Sequence, residues 1–206
     1  MKKIGIMGGT FNPIHYGHLF LAENAYEQIG LDQILFMPSN NPPHKSKQDI
    51  ASNEHRKTMV QLAIQDNPHF SLSTMELERE GITYTADTLQ IMKEEYSDAE
   101  IYFIVGADSF LSLQNWKKPE TVFKLSTIVA FGRDQIEQGR MEKHKEYLMK
   151  IYPDAKIMLP FMPTIQISSA MIRERIAEKK SIRYYLPSDV MAYIEENQLY
   201  TAVTRE

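Results

Sequence analysis

Short apolar runs alternate along this chain with stretches in which apolar positions recur every third or fourth residue. Residues 2–7, 33–37, 70–74, 100–105, 126–131 and 156–159 read as buried strands, because the runs are short and rich in Ile, Val, Leu and Phe. Between them, Leu19, Ala22, Tyr26 and Ile29 mark one face of a helix that Gly30 can end in the left-handed conformation. Ser52 or Asn53 is placed to cap a helix with Met59, Leu62 and Ala63 inward, ending near Asn67 and Pro68. Further helices are predicted beyond Thr85 through Leu89 and Met92, over 138–150, and from Ser168 or Ser169 to Glu178. The last helix has Pro187 at its first position and Val190, Tyr193 and Ile194 on its apolar face. Residues 38–45 contain three prolines and cannot be regular structure.

Strands alternating with helices at this spacing predict an α/β protein: a Rossmann-like, doubly wound parallel sheet with helices on both faces, in a single domain over residues 1–206. Such sheets bind ligands beyond the carboxyl ends of their strands. Polar, glycine-bearing or amide-bearing segments follow strands here at 8–18, 39–45, 106–108 and 132–133, so they are expected to share one site.

Composition narrows the chemistry. The chain has 206 residues, 43% hydrophobic and 24% charged, enough to bury a proper core. Its net charge of -4 disfavours a broad nucleic-acid or anionic-membrane surface, but leaves room for a small anion in a local positive pocket. It has no cysteine, which removes disulfides, thiolate catalysis and Cys-ligated metal centres. Lys2 and Lys3 precede too short an apolar run for a secretory leader, and no run approaches the roughly 20 residues that span a bilayer. A cytoplasmic protein without a membrane segment is expected.

The segment at residues 8–18, GGTFNPIHYGH, carries the first chemical signal. It runs from a strand through Gly8 and Gly9 into a helix start, where free N–H groups and a partial positive charge favour phosphate. It lacks the lysine of a phosphate-binding P-loop and the spacing of a dinucleotide fingerprint. The positive groups on offer are His15 and His18, three residues apart and facing the same way on one turn. Phosphate contact, zinc ligation and a structural role are all open to such a pair, although no third metal ligand is evident. At the other end of the chain, ISSAMIR at 167–173 opens a helix with Ser168 and Ser169 and sets Arg173 one turn in. Alone it is an ordinary serine cap with a solvated arginine; beside a phosphate it is an anion site.

Together these two segments resemble the HxGH and ISSTxIR signatures of the nicotinate- and nicotinamide-mononucleotide adenylyltransferases, within the HxGH nucleotidylyltransferase superfamily. Ala170 stands where the second signature usually has Thr. HxGH also occurs in class I aminoacyl-tRNA synthetases, which need a far longer chain. It occurs in phosphopantetheine and cytidylyl transferases too, which lack the segments around Thr85 and Trp116. The resemblance spans essentially the whole chain and favours the bacterial nicotinate enzyme, transferring AMP from ATP to nicotinate mononucleotide with Mg²⁺. It implies catalytic roles for His15, His18 and Arg173. It implies ATP contacts from Gly8, Gly9, Thr10, Phe11, Gly106, Asp108, Arg133, Ser168 and Ser169. Asn40, His44, Lys45, Thr85 and Trp116 are implied on the mononucleotide side, with Trp116, the only tryptophan, stacking on the pyridine ring. No dedicated protein metal site is implied, since Mg²⁺ rides on substrate phosphates and water. Alternatives are nicotinamide mononucleotide as acceptor, a non-catalytic nucleotide sensor on the same fold, or an RNA-binding protein. The acidic balance disfavours the last. A homodimer through the last helix is a further expectation.

Overall fold

The computed structural model describes residues 1–40, 50–132, 135–163 and 165–201, with backbone only at residues 135 and 136. Six strands, β1 (Lys2–Gly9), β2 (Gln33–Pro38), β3 (Phe70–Leu72), β4 (Ala99–Gly106), β5 (Thr127–Phe131) and β6 (Lys156–Met158), form one sheet in the order β3-β2-β1-β4-β5-β6. Every neighbouring pair is parallel. The chain winds outward from β1 to β3, returns to the middle at β4 and winds outward again to β6. The switch point lies between β1 and β4, where ligands of open α/β sheets bind. At that carboxyl edge Gly9 pairs with Pro38 and Gly106 with Phe131.

The strand period of two sorts side chains to the two faces. Met7, Tyr102 and Ile104 join a core with α1 (Tyr16–Ile29), α2 (Asn53–Ile64), α7 (Ser169–Ala177) and α8 (Ser188–Glu196). Ile4, Ile6, Ile101, Phe103 and Val105 join the other, with α3 (Thr85–Glu95), α4 (Ala107–Ser112), α5 (Pro119–Leu125) and α6 (Gln135–Ile151). The doubly wound sheet covered on both faces is the expected architecture.

Several boundaries carry their sequence reasons. Gly30 ends α1 in the left-handed conformation, with φ 66° and ψ 51°. Ser52 and Ser168 are the caps of α2 and α7, each hydroxyl accepting the backbone N–H three residues on. Pro187 is the cap of α8 rather than its first helical residue, which is Ser188. The helix over 53–64 stops short of Asn67, and β3 ends at Leu72 rather than Thr74. Residues 107–125, where the sequence pattern predicts no helix, fold into α4, a 3₁₀ turn over Leu113–Asn115, and α5. They are short because Gly106 and Pro119 punctuate them, and Phe110, Leu113, Val122 and Phe123 bury their inner faces.

Gly5 shows how tightly the central strand is enclosed. A Cβ there would stand 2.8 Å from Leu31, 3.0 Å from Ile104 and 3.1 Å from Ile34. Gly5→Ala is expected to destabilise the fold by about 1–3 kcal/mol through overpacking, read as a lower denaturant midpoint at unchanged slope. A higher midpoint would show that this part of the core relaxes freely.

Candidate active site

The loop between β1 and α1 is built from positions that leave it little freedom. Phe11 has φ 48°, a left-handed backbone unusual for a bulky residue. Its ring offsets that strain by burying almost completely, tilted against Phe36 at 5.9 Å and edge-on to His18 at 5.0 Å between centroids. Gly9 makes room for it: a Cβ at Gly9 would stand 3.1 Å from the Phe11 ring.

Four polar side chains from distant parts of the chain hold the same loop. Arg56, on α2 and completely buried, donates from Nη1 to the Thr10 carbonyl at 2.8 Å and from Nε to Ala51 at 3.1 Å. Arg173 Nη1 donates to the Asn12 carbonyl at 2.9 Å, and Ser169 Oγ to the Pro13 carbonyl at 2.8 Å. The buried Asn12 accepts on Oδ1 from the Ala51 N–H at 3.0 Å and the Tyr200 hydroxyl at 2.9 Å. The two signatures, 156 residues apart at Ser169 and Pro13, are therefore one structure.

His15 caps α1 with extended backbone, and His18 lies in its first turn. Their rings stack at 3.7 Å between centroids and 26° between planes, so the pair does face one way. The His15 N–H reaches His18 Nδ1 at 3.3 Å. Gly17 keeps that stack possible, because a Cβ there would stand 3.0 Å from the His15 ring and 3.4 Å from the Ile167 carbonyl. The reading of both imidazoles as positive groups needs correction for His15. Burial holds its pKa down at about 4, so at neutral pH it is uncharged. Its Nδ1 is buried and has no hydrogen-bond partner among the described residues. Among the described residues, the guanidinium groups of Arg173 and of Arg56, the latter not singled out by any sequence pattern, bring positive charge to the loop.

The rim is assembled from the other strand ends. Gly106 caps α4, with open space where a Cβ would stand, and Asp108 lies exposed in the first turn of α4. Trp116 is half-buried and edge-on to Phe103 at 6.0 Å, while the Phe103 ring lies 3.6 Å from where a Gly8 Cβ would be. Thr85 begins α3. The two segments meet: Lys117 stands 5.9 Å over the Tyr84 ring, and Lys118 pairs with Asp87 at 3.2 Å. Asn40 joins them by donating to the Arg79 carbonyl at 2.6 Å, and Arg79 donates to Thr88 on α3 at 3.0 Å. Asn53 bridges Asn40 to Arg56, completing a polar chain from α3 to the loop. Below it Glu76 accepts from Thr88 and Thr83, and burial raises its pKa. His44, Lys45 and Arg133 lie outside the described residues. Ser168 is exposed and spends its hydroxyl oxygen on the helix cap. His55, His69 and His144 pack against Tyr193, Tyr26 and Phe110.

Comparison with known proteins settles the family. The cytidylyltransferase-like model matches residues 6–175. A probable nicotinate-nucleotide adenylyltransferase of Lachnoclostridium phytofermentans is 50% identical over 97% of this chain and all of the relative. One of Clostridium botulinum is 42% identical over 97% of this chain and 98% of the relative. This chain belongs to the nicotinate-nucleotide adenylyltransferases. Among solved structures, the Plasmodium falciparum nicotinic acid mononucleotide adenylyltransferase complexed with NaAD superposes with a TM-score of 0.80 at 23% identity, covering 97% of this chain and 98% of that one. That likeness carries the adenylyltransferase fold. No helix among the described residues is long and apolar enough to cross a membrane.

The depressed His15 pKa has a stability consequence. Between pH about 4 and 6.5 the unfolded chain binds a proton that the folded adenylyltransferase resists. Stability therefore rises with pH across that window and is lost as pH falls through it, by on the order of 3 kcal/mol in all. Urea unfolding of wild type and His15→Gln at pH 7, 5.5 and 4.5 is expected to show the wild type losing more. Parallel losses would place the acid sensitivity elsewhere.

Proposed function

We propose that this protein transfers AMP from ATP to nicotinate mononucleotide, giving deamido-NAD and pyrophosphate. The observation that carries the reading is the junction of the two signatures, with Ser169 and Arg173 bonded to the loop that leads into the stacked His15 and His18. The reaction is one in-line displacement: a phosphate oxygen of the mononucleotide attacks the α-phosphorus of ATP, and the bond to the bridging oxygen of pyrophosphate breaks. A phosphate monoester near pH 7 is already an anionic nucleophile, so the protein needs no general base. Its task is to align two anions and to offset the charge that develops on the triphosphate.

His18 and His15 contact the α- and β-phosphates in this reading. A neutral His15 can donate one hydrogen bond, and an arriving phosphate anion raises its tendency to protonate, which turns binding into proton uptake. Arg173 holds the departing pyrophosphate, for which its guanidinium has N–H groups beyond the one spent on Asn12. Ser168 and Ser169 lie beside it at the start of α7. Gly8, Gly9, Thr10 and Phe11 bring loop backbone to the triphosphate, while Gly106 and Asp108 serve the adenosine. Thr85, Asn40 and Trp116 line the mononucleotide side, with His44 and Lys45 assigned there and Arg133 to adenine by sequence alone.

Enzymes of the family generally use a divalent metal ion with ATP. Among the described residues no three His, Cys, Asp or Glu side chains gather as a metal cage. In this reading Mg²⁺ would arrive on the triphosphate as part of the substrate and offset charge on the phosphate oxygens.

The direct test is pyrophosphate release from ATP and Mg²⁺ with nicotinate mononucleotide or nicotinamide mononucleotide supplied separately. Release with the nicotinate form alone is expected. Release mainly with the amide would overturn the acceptor assignment, and silence with both would favour a nucleotide sensor. In the same assay His18→Ala is expected to lower kcat by on the order of 10²–10⁴ while the far-UV spectrum and unfolding midpoint stay near wild type. An unchanged kcat would remove His18 from the chemistry.

A further inference from the structure

The C-terminal segment after α8 is wound in a way that packing alone does not require. Gln198 and Tyr200 have φ of 52° and 63°, left-handed conformations that non-glycine residues rarely adopt. The reversal is fixed by Gln198 and Leu199 N–H groups donating back to Glu195 and Ile194, and by the Asn197 and Thr201 side chains on Tyr193 and Gln198 carbonyls. Leu199 and Tyr200 turn back against the core around α1, α2 and α8. The outcome is a long-range bond, the Tyr200 hydroxyl on Asn12 Oδ1 at 2.9 Å across 188 residues of sequence. Its other end lies beside Phe11, the one strained residue of the loop. Strain at Tyr200 and in the residue next to Asn12 marks a contact that surrounding structure is built to enforce.

We propose that Tyr200 is a positioning residue for adenylyl transfer: it does not touch substrate, but its hydroxyl fixes Asn12 and so sets the register of residues 10–13, which lead into His15 and His18. The proposal rests on the transfer reading of the site. Three features support it. Asn12 is at once the acceptor of Tyr200 on its side chain and of Arg173 on its backbone, so the C-terminal turn and the pyrophosphate-side arginine grip one residue. The Ala51 N–H shares the same side-chain oxygen, and Arg56 holds the Ala51 and Thr10 carbonyls, so the grip extends to α2. Finally, burial pushes the Tyr200 hydroxyl well above its ordinary pKa despite the opposing charges of Arg173 and Arg56, so it stays protonated as a donor. A loop held only by apolar packing could slide by a fraction of an ångström; small misplacements of catalytic groups are costly in rate.

Tyr200→Phe keeps the ring and removes only the donor. Tyr193→Phe is the matched control, since it removes a hydroxyl on α8 that bonds His55 at 2.9 Å instead of the loop. Pyrophosphate kinetics are expected to show Tyr200→Phe with kcat lowered about tenfold and KM for both substrates within about twofold, and Tyr193→Phe with wild-type kcat. Without substrate, the ring resonances of His15 and His18 by NMR are expected to move in Tyr200→Phe and to stay in Tyr193→Phe. A Tyr200→Phe protein with wild-type kcat and unmoved histidine resonances, whatever its melting temperature, overturns the proposal. Absence of turnover in the wild type would sink the transfer reading, and the histidine resonances would still decide whether Tyr200 positions the loop.

Discussion

Everything at the candidate site hangs on the fixing of residues 10–13 by side chains that arrive from elsewhere. The loop leaves β1 at the sheet's switch point, where the fold opens a crevice but supplies no regular backbone partners. Its carbonyls would otherwise be unpaired in a half-buried setting, which is costly. Arg56 takes Thr10, Arg173 takes Asn12 and Ser169 takes Pro13. The same bonds that satisfy the backbone thus bring two guanidinium groups to the loop.

That arrangement makes the electrostatics unlike a simple basic pocket. Arg56 is completely buried, and among the described residues it is held by carbonyl and amide oxygens. Its charge is softened by dipoles without being cancelled, so part of its field is left for the loop above it. His15 behaves oppositely, because burial strips its charge in the resting state. Permanent attraction comes from arginine and conditional charge from histidine. A protein with net charge -4 can therefore attract phosphates locally while its surface as a whole does not.

How much of this was written in the sequence differs by element. Long periodic segments such as the helix over 16–29 and the runs that became β1 and β4 were legible, since burial on one or both faces imposes their periods. The short elements between 107 and 125 were not, because each has barely two turns and its signal was masked by Gly106, Trp116 and Pro119. The glycines and histidines of the first loop were legible as a motif, and the structure supplies reasons at atomic scale for Gly9 and Gly17. Arg56 and Tyr200 were illegible: one is an ordinary position on an amphipathic helix, the other a terminal tyrosine. Only the three-dimensional path of the chain brings them to Thr10 and Asn12.

Ser169 and Arg173 show why motif and mechanism should not be equated residue by residue. Phosphate ligands need not be tied to their own chain, yet each of these is engaged with a loop carbonyl. A serine oxygen keeps lone pairs after donating, and a guanidinium keeps further N–H groups, so neither engagement forbids anion binding. It does change what binding requires. Groups already ordered by the loop lose little freedom when a phosphate arrives, which is the physical meaning of preorganisation. The second signature thus shapes the first, and in the proposed transfer reaction it would also face the same anion beside it.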